Sequence, residues 1–193
     1  LSNSSNVSLK IYSLDGRLLA HPINDFKENP IDVQEEILFD LVHAAKRTEF
    51  GKKYNFSKIK DYNDFAAQVP IHDYEQMKPY IERTMEGHQN TIWKTEIEWF
   101  SKSSGTTAGR SKYIPVSQES LEECHFKGGK DMITLYVNNY PDSKLFAGKA
   151  LTIGGSLAPN PISPKLASKV GDISAVITQN LPIWVQMART PAL

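Results

Sequence analysis

Residues 99–116 of the chain read Trp99-Phe100-Ser101-Lys102-Ser103-Ser104-Gly105-Thr106-Thr107-Ala108-Gly109-Arg110-Ser111-Lys112-Tyr113-Ile114-Pro115-Val116. Aromatic and β-branched residues at the two ends predict short strands at residues 97–100 and 112–116. Pro115 has no N–H to donate to a strand ladder, so we expect its strand to lie at a sheet edge or to end there. The run therefore predicts a polar loop between two strands.

The loop has the composition of a phosphate-binding site. A bound phosphate needs backbone N–H groups that point at it, small residues that let the backbone approach, and hydroxyl and cationic side chains nearby. Residues 101–112 contain all of these. They form no Walker A motif, because the residue five positions after Gly105 is Arg110, and they lack the G-x-G-x-x-G dinucleotide fingerprint. The alternative interpretation is an ordinary solvated turn rich in Ser, Gly and Thr.

Helices are predicted in the first half of the chain. Asn29-Pro30 is a favourable helix start, and apolar residues follow it at helical spacing up to residue 45, including Ile37 and Leu41 on the expected packed face. A short helix is predicted at residues 61–68. Another is predicted at residues 73–87, where Pro79 should divide or kink it. Residues 7–20 show the alternation and the turn of a small hairpin.

Helical and strand patterns alternate from residue 97 onward. Ser117 can cap a helix that ends before Pro141, and further strands are predicted at residues 150–153 and 173–177. This alternation favours an α/β arrangement. Within the helix, Gly128-Gly129 costs about 1 kcal/mol per residue relative to alanine, so we expect a neighbouring backbone or a ligand to need room there.

Composition restricts the class of protein. The chain has 193 residues, 22 basic and 22 acidic side chains and 40% hydrophobic residues, which is typical of one globular domain or two small ones. No apolar run approaches the roughly 20 residues of a membrane-spanning helix, and the balanced charge does not favour a nucleic-acid surface. A single cysteine, Cys124, and no visible secretory signal predict a cytoplasmic protein, with Cys124 in the core. The histidines lack metal-ligand spacing, so no protein-ligated metal is expected.

Several segments together resemble the GH3 family, the acyl acid–amido synthetases first described as auxin-responsive proteins. Residues 99–117 resemble the first nucleotide-binding motif of that family, and residues 33–54 resemble its opening helix and turn. Residues 69–75 resemble the next family stretch, and residues 171–191 resemble the bacterial branch in particular. The resemblance covers residues 27–193 almost continuously.

The resemblance implies an α/β fold, as an incomplete N-terminal domain of an adenylate-forming, acyl-activating enzyme of the luciferase-like type. Residues 27–193 would form part of the adenylation domain, residues 1–26 would be a segment of uncertain fit, and the C-terminal domain would be absent. The implied reaction activates a carboxylic acid with ATP, with Mg²⁺ bound through the nucleotide, and transfers the acyl group to an amine such as an amino acid. Two further nucleotide motifs of the family are not found before Leu193. This portion alone is therefore expected to be inactive without the C-terminal part of the enzyme.

The resemblance also implies binding residues. The nucleotide phosphates would be held by Ser103, Ser104, Gly105, Thr106, Thr107 and Lys112. The helix after Ser117 would line the acyl pocket through Gly128 and Asp131. Asp131 stands where an arginine is expected in plant relatives. The resemblance therefore does not indicate which carboxylic acid would be the acyl substrate. The alternative interpretation is that Gly128 only serves helix packing and that Asp131 is a solvated carboxylate. No catalytic residue and no metal ligand is assigned.

Two other functions remain open at this point. One is a short non-catalytic module, derived from such an enzyme, that binds a nucleotide or a partner protein. The other is a phosphate-handling protein of another class whose Ser/Thr-rich loop resembles the family motif by chance. Pyrophosphate exchange that depends on a carboxylic acid is expected only of the synthetase.

Overall fold

The structure is a computed structural model that describes residues 23–103 and 111–190. The hairpin predicted at residues 7–20 and four predicted phosphate-binding residues, Ser104, Gly105, Thr106 and Thr107, lie outside the described residues. The chain divides into two compact units. The first contains the described residues up to Lys46 together with Gly51–Pro70, and the second contains Arg47–Phe50 and the described residues from Ile71 onward.

The first unit is helical. Its elements are α1 Ile23–Glu28, α2 Pro30–Ala45, the end of α3 Glu49–Lys53, a 3-10 turn at Phe56–Lys58 and α4 Tyr62–Gln68. Helices α2 and α4 confirm two sequence predictions. Val33, Val42 and Ala45 are the buried residues of α2, whereas Ile37 and Leu41 are exposed, so its packed face is narrower than the periodicity indicates.

The second unit combines helices and strands. Its helices are α5 Tyr74–Met85, α6 Gln118–Ser120, which continues through a π-helical turn at Leu121–Phe126 into α7 Lys127–Asn139, then α8 Ile173–Gln179 and α9 Ile183–Met187. Its strands are β1 Trp99–Lys102, β2 Tyr113–Val116, β3 Ala150–Leu151, β4 Ala158–Pro159, β5 Lys169–Gly171 and β6 Arg189–Thr190. The predicted α/β class is confirmed.

Four strands form one sheet in the order β2-β1-β5-β4, and β3 pairs with β6 in a second, parallel pair. Strand β1 is antiparallel to β2, with Phe100 opposite Pro115, and parallel to β5, with Ser101 opposite Gly171. Strand β2 is an edge strand, as Pro115 predicts. The two strands that flank the predicted phosphate loop are therefore direct neighbours.

The side chains of β1 alternate between two cores, as successive residues of a strand point to opposite faces. Phe100 and Met85 are completely buried in one of them, where Trp93 also packs. Trp99 packs against the other core, around Leu121 and Val176. Strand β1 is thus held on both faces, which fixes the end from which the polar loop starts.

Helix α5 leads to the site, and its start is well defined. The Asp73 carboxylate accepts a hydrogen bond from the Gln76 N–H at 2.9 Å, and the Gln76 side chain accepts one from the Asp73 N–H at 2.9 Å. This reciprocal pair is a capping box. Pro79 lies inside α5, which is one helix rather than two. The cap and the burial of Ile81 offset the backbone hydrogen bond that proline cannot make.

Two sequence predictions are wrong in this unit. Residues 173–177 form α8 instead of a strand, because the Asp172 carboxylate caps a helix by accepting a hydrogen bond from the Ala175 N–H at 2.8 Å. The strand of this region lies just before it, at β5. Cys124 is exposed rather than buried, since it lies in the π-helical turn, where Leu121 is the buried residue.

Candidate functional site

Strands β1 and β2 are joined by the predicted phosphate loop, and Ser103 and Lys112 close its base. The Ser103 N–H donates to the Lys112 carbonyl at 2.9 Å, and the Lys112 N–H donates to the Ser103 hydroxyl oxygen at 3.1 Å. This pair extends the ladder one step beyond the two strands. Because the Ser103 oxygen accepts from the backbone, its hydroxyl hydrogen is oriented away from that bond and can donate to a ligand.

The Lys112 side chain is exposed and lies over an aromatic ring. Its Nζ is 5.1 Å from the centroid of the Tyr74 ring, within cation–π range. The Tyr74 hydroxyl accepts a hydrogen bond from the Tyr113 N–H at 2.8 Å. The first residue of α5 therefore binds the backbone of β2 and supports the cation at the base of the loop. Sequence analysis did not single out Tyr74 for this position.

A cleft of about 530 Å³ opens beside this base. Its wall is formed by Lys102, Ser103, Ser111 and Tyr113 on the hairpin, Ser156, Ala158, Pro159 and Pro161 around β4, and Val170, Gly171 and Asp172 at the end of β5. Pockets that hold small ligands usually have volumes of about 300–1,000 Å³. Hydroxyl groups and a lysine thus face a space of ligand size.

Two glycines let the chain approach itself closely on the far side of this cleft. A Cβ at Gly155 would lie 1.9 Å from Oδ2 of Asp172, and a Cβ at Gly171 would lie 2.9 Å from the carbonyl oxygen of Ser156. Real Cβ atoms do not approach other heavy atoms this closely. The segment with Gly155 and Ser156 can therefore pack directly on β5 and on the start of α8.

Asp172 is the one acidic residue among those that line the cleft. The Ser174 hydroxyl donates to its carboxylate at 2.5 Å, and this bond, with the bond from the Ala175 N–H, holds the pKa of Asp172 below its usual range. The carboxylate is therefore charged at neutral pH. Among the described residues, no group of three or more His, Cys, Asp or Glu side chains is placed to hold a metal ion.

The two predicted acyl-pocket residues lie on α7 and do not line the cleft. Gly128 is exposed, and a Cβ added at Gly128 or Gly129 would meet no atom within 4 Å. The described residues therefore do not show the neighbouring backbone that these glycines were predicted to accommodate. Asp131 is half-buried.

Among the described residues, no helix has the length and apolar character needed to cross a membrane.

The motifs and the architecture agree with a family comparison. The model of the GH3 family N-terminal domain matches residues 19–193. The chain belongs to the GH3 family. This GH3 chain is 29% identical over 147 residues to the indole-3-acetic acid-amido synthetase GH3.2 of Arabidopsis thaliana, a match that covers 72% of the chain and 27% of the relative. It is 30% identical over 146 residues to GH3.4 of the same plant, which covers 72% of the chain and 24% of that relative.

Solved structures of the family share the fold. The GH3.15 acyl acid amido synthetase superimposes with a TM-score of 0.66 at 21% identity, covering 82% of this chain and 28% of that chain. A complex of the same enzyme with 2,4-DB gives a TM-score of 0.62 at 21% identity, with 80% and 26% coverage. The described fold is therefore that of part of a GH3 N-terminal domain. This GH3 chain spans about a quarter of the length of these relatives.

Proposed function

We propose that this chain carries the ATP-phosphate site of an acyl acid–amido synthetase. The observation that carries the proposal is the closure of the loop base by Ser103 and Lys112, beside a cleft that is lined by hydroxyl groups and by Lys102. In the proposed reaction a carboxylate attacks the α-phosphate of ATP, pyrophosphate leaves, and an amine then displaces AMP from the acyl-adenylate to form an amide.

Charge is the main obstacle in the first step, because an anionic carboxylate must approach an anionic phosphate chain. Fixed N–H and O–H donors and a cation relieve this repulsion without having to reorganise during the reaction. We assign this role to Ser103, Ser104, Gly105, Thr106, Thr107 and Lys112. In this assignment the backbones of Ser103 and Lys112 close the base of the loop, the Lys112 ammonium group supplies the cation, and the residues between them contact the phosphates.

Mg²⁺ fits the proposal as an ion that arrives with the nucleotide. This ion usually keeps several water ligands and is held by one or two carboxylates together with substrate phosphates. The cleft has a single carboxylate, Asp172, which is already engaged in capping α8. When bound, the ion would neutralise charge on the phosphates, while the residues of the loop orient them.

The relatives support the substrate class. Their names describe indole-3-acetic acid-amido synthetases and a ligase that joins 4-substituted benzoates to glutamate. By this analogy the substrates of the proposed enzyme are a carboxylic acid and an amino acid or other amine, and the rest of such a synthetase is the partner of this portion. A cytoplasmic location fits these soluble substrates.

ATP binding to the chain, measured by calorimetry in the presence of Mg²⁺, tests the proposal. We expect the double variant Ser104→Ala/Thr106→Ala to bind ATP at least tenfold more weakly, since two hydroxyl donors are lost. Ser57→Ala, at an exposed serine of the helical first unit, is the control and should bind as the wild type does. A double variant that binds ATP as tightly as the wild type would remove the loop assignment.

Turnover is tested on the longest natural chain that contains this sequence. ATP–pyrophosphate exchange that requires a carboxylic acid supports the synthetase. ATP binding without any such exchange supports the alternative, a nucleotide-binding module that does not activate acids. If the chain neither binds ATP nor catalyses exchange, both the synthetase and the nucleotide-binding module are contradicted.

A further inference from the structure

Asn160, directly after β4, is a polar residue that is completely buried. Its Nδ2 donates to the Met85 carbonyl at 2.7 Å and to the Ser168 hydroxyl oxygen at 2.9 Å. Its Oδ1 accepts from the N–H groups of Ile162 at 3.0 Å and of Ser163 at 3.4 Å. A side-chain amide has two hydrogens to donate and two lone pairs to accept with, so its whole hydrogen-bonding capacity is used.

The segment around Asn160 depends on this side chain for its hydrogen bonds. Three of the six residues 159–164 are proline, which has no N–H to donate. The N–H groups that remain are those of Asn160, Ile162 and Ser163. The first donates to the Ser168 carbonyl at 3.2 Å, and the other two donate to the Asn160 side chain. Every backbone donor of the segment therefore belongs to Asn160 or binds it.

The donor side of the same amide reaches a distant part of the chain. Met85 is the last residue of α5, and the last carbonyl groups of a helix have no partner within it. The Asn160 amide supplies that partner at a residue whose side chain is completely buried beside Phe100. Ser168 directly precedes β5. One side chain thus joins the proline-rich segment to the end of α5 and to the start of β5.

The proline-rich segment is also part of the cleft beside the phosphate loop. Pro159 and Pro161, the two neighbours of Asn160, line this cleft together with Lys102 and Ser103 of the hairpin. Asn160 is not part of the lining. Two wall residues are therefore held in place by a side chain that lies behind the wall.

We propose that Asn160 is a positioning residue of the nucleotide site, which fixes the wall formed by Pro159 and Pro161 relative to the hairpin. The effect on ATP rests on the proposed function, whereas the placement of the wall does not. A wall that moved freely would have to become ordered when a ligand binds, and such ordering weakens binding. Asn160 orders the wall before the ligand arrives.

The placement of the wall is measured first, without ATP. Spin labels on Lys102→Cys and Ile162→Cys, in a Cys124→Ser background, report the distance between hairpin and wall by electron paramagnetic resonance. We expect a narrow distance distribution that Asn160→Ala broadens at least about twofold, because the segment loses its hydrogen bonds. Asn139→Ala, at an exposed asparagine of the same unit, is the matched control and should leave the distribution narrow. A distribution that Asn160→Ala leaves unchanged overturns the proposal.

ATP affinity is measured next by calorimetry, at a temperature at which circular dichroism shows each variant to be folded. We expect Asn160→Ala to bind ATP at least about fivefold more weakly than the wild type, and Asn139→Ala to bind within twofold of it. A merely structural residue would lower the stability of the chain without changing the affinity of its folded form. Equal ATP affinity of Asn160→Ala and wild type therefore overturns the positioning role.

A second variant covers the case in which Asn160→Ala does not fold. Asn160→Asp keeps the size of the side chain and the acceptor for Ile162 and Ser163, but its carboxylate cannot donate to the Met85 carbonyl. We expect it to broaden the distance distribution and to weaken ATP binding in the same direction. If it does neither, the proposal is overturned.

The two proposals fail separately. A chain that does not bind ATP, but whose distance distribution broadens in Asn160→Ala, overturns the nucleotide site alone. A chain that binds ATP equally well with and without the Asn160 amide overturns the role of Asn160 alone.

Discussion

The ammonium group of Lys112 lies over the ring of Tyr74, 5.1 Å from its centroid, while the hydroxyl of the same tyrosine accepts a hydrogen bond from the Tyr113 N–H. One residue of α5 thus fixes both the backbone and the cation at the base of the proposed phosphate loop. A lysine on a solvated strand end would otherwise sample many rotamers, and ordering it costs free energy. The Tyr74 ring reduces that cost before any ligand binds.

The cation is tested by Lys112→Met. A charge-assisted contact with a phosphate contributes about 1.5–3 kcal/mol, so we expect ATP to bind roughly ten- to a hundredfold more weakly. Lys165→Met removes an exposed lysine of the same unit and should change ATP affinity less than twofold. Calorimetric titration of both variants checks the prediction, and equal losses in the two would show that only overall charge matters.

Two substitutions separate the roles of Tyr74. Tyr74→Phe keeps the ring under Lys112 but removes the acceptor for the Tyr113 N–H, so it should lower the free energy of unfolding by about 1 kcal/mol and leave ATP affinity nearly unchanged. Tyr74→Leu removes both interactions and should weaken ATP binding as well. Urea unfolding and calorimetry measure the two effects. If Tyr74→Leu binds ATP as Tyr74→Phe does, the ring does not position the lysine.

Two glycines are expected to respond in opposite directions to alanine. A Cβ at Gly155 would collide with the Asp172 carboxylate, so Gly155→Ala should lower the free energy of unfolding by about 1–3 kcal/mol. A Cβ at Gly128 meets nothing within 4 Å, so Gly128→Ala should raise it by about 0.5–1 kcal/mol through helix propensity. Urea denaturation checks both values. Destabilisation by Gly128→Ala would reveal a packing role that the described residues do not show.

The cap of α8 makes stability depend on acid pH. Hydrogen bonds from the Ser174 hydroxyl and the Ala175 N–H lower the pKa of Asp172 in the folded chain, so its contribution is complete above the unfolded pKa and is lost as the pH falls through the folded pKa. Asp172→Asn keeps a capping oxygen but does not titrate. We therefore expect the stability advantage of the wild type over Asp172→Asn to shrink as the pH falls below about 4.

Denaturation curves of wild type and Asp172→Asn between pH 7 and pH 2 test this expectation. Asp142→Asn, at an exposed acid of the loop after α7, is the matched control. A constant difference between wild type and Asp172→Asn over the whole range would contradict a contribution from the charged cap.

Local sequence signals predicted the elements around the loop well. Pro115 indicated an edge strand, and Ser117 was recognised as a helix cap, where its hydroxyl accepts a hydrogen bond from the Ser120 N–H at 3.1 Å. Each of these signals acts within a few residues, so a single sequence is sufficient to recognise it. The α/β class followed from the alternation of such elements.

Predictions failed where two local signals competed or where distant segments meet. The β-branched run Ile173–Ile177 has strand propensity, but the cap at Asp172 starts a helix there. A π-helical turn contains more than the 3.6 residues of an α-helical turn, so residues three apart no longer share a face. Leu121 is therefore buried while Cys124 is exposed. Local patterns also could not show that the hairpin and the end of β5 face one cleft, or that Asn160 binds the end of α5, because these contacts join distant parts of the sequence.

The two pairings of β1 have a consequence for folding during synthesis. Its antiparallel neighbour β2 follows after one loop, whereas its parallel neighbour β5 comes only after the long helical segment that ends with α7 and the strands beyond it. A growing chain can close the hairpin early, but the opposite edge of β1 stays unpaired until residues 169–171 leave the ribosome. An open strand edge invites pairing with other chains. While the sheet is half made, this edge of β1 is therefore a place at which pairing with another chain can begin.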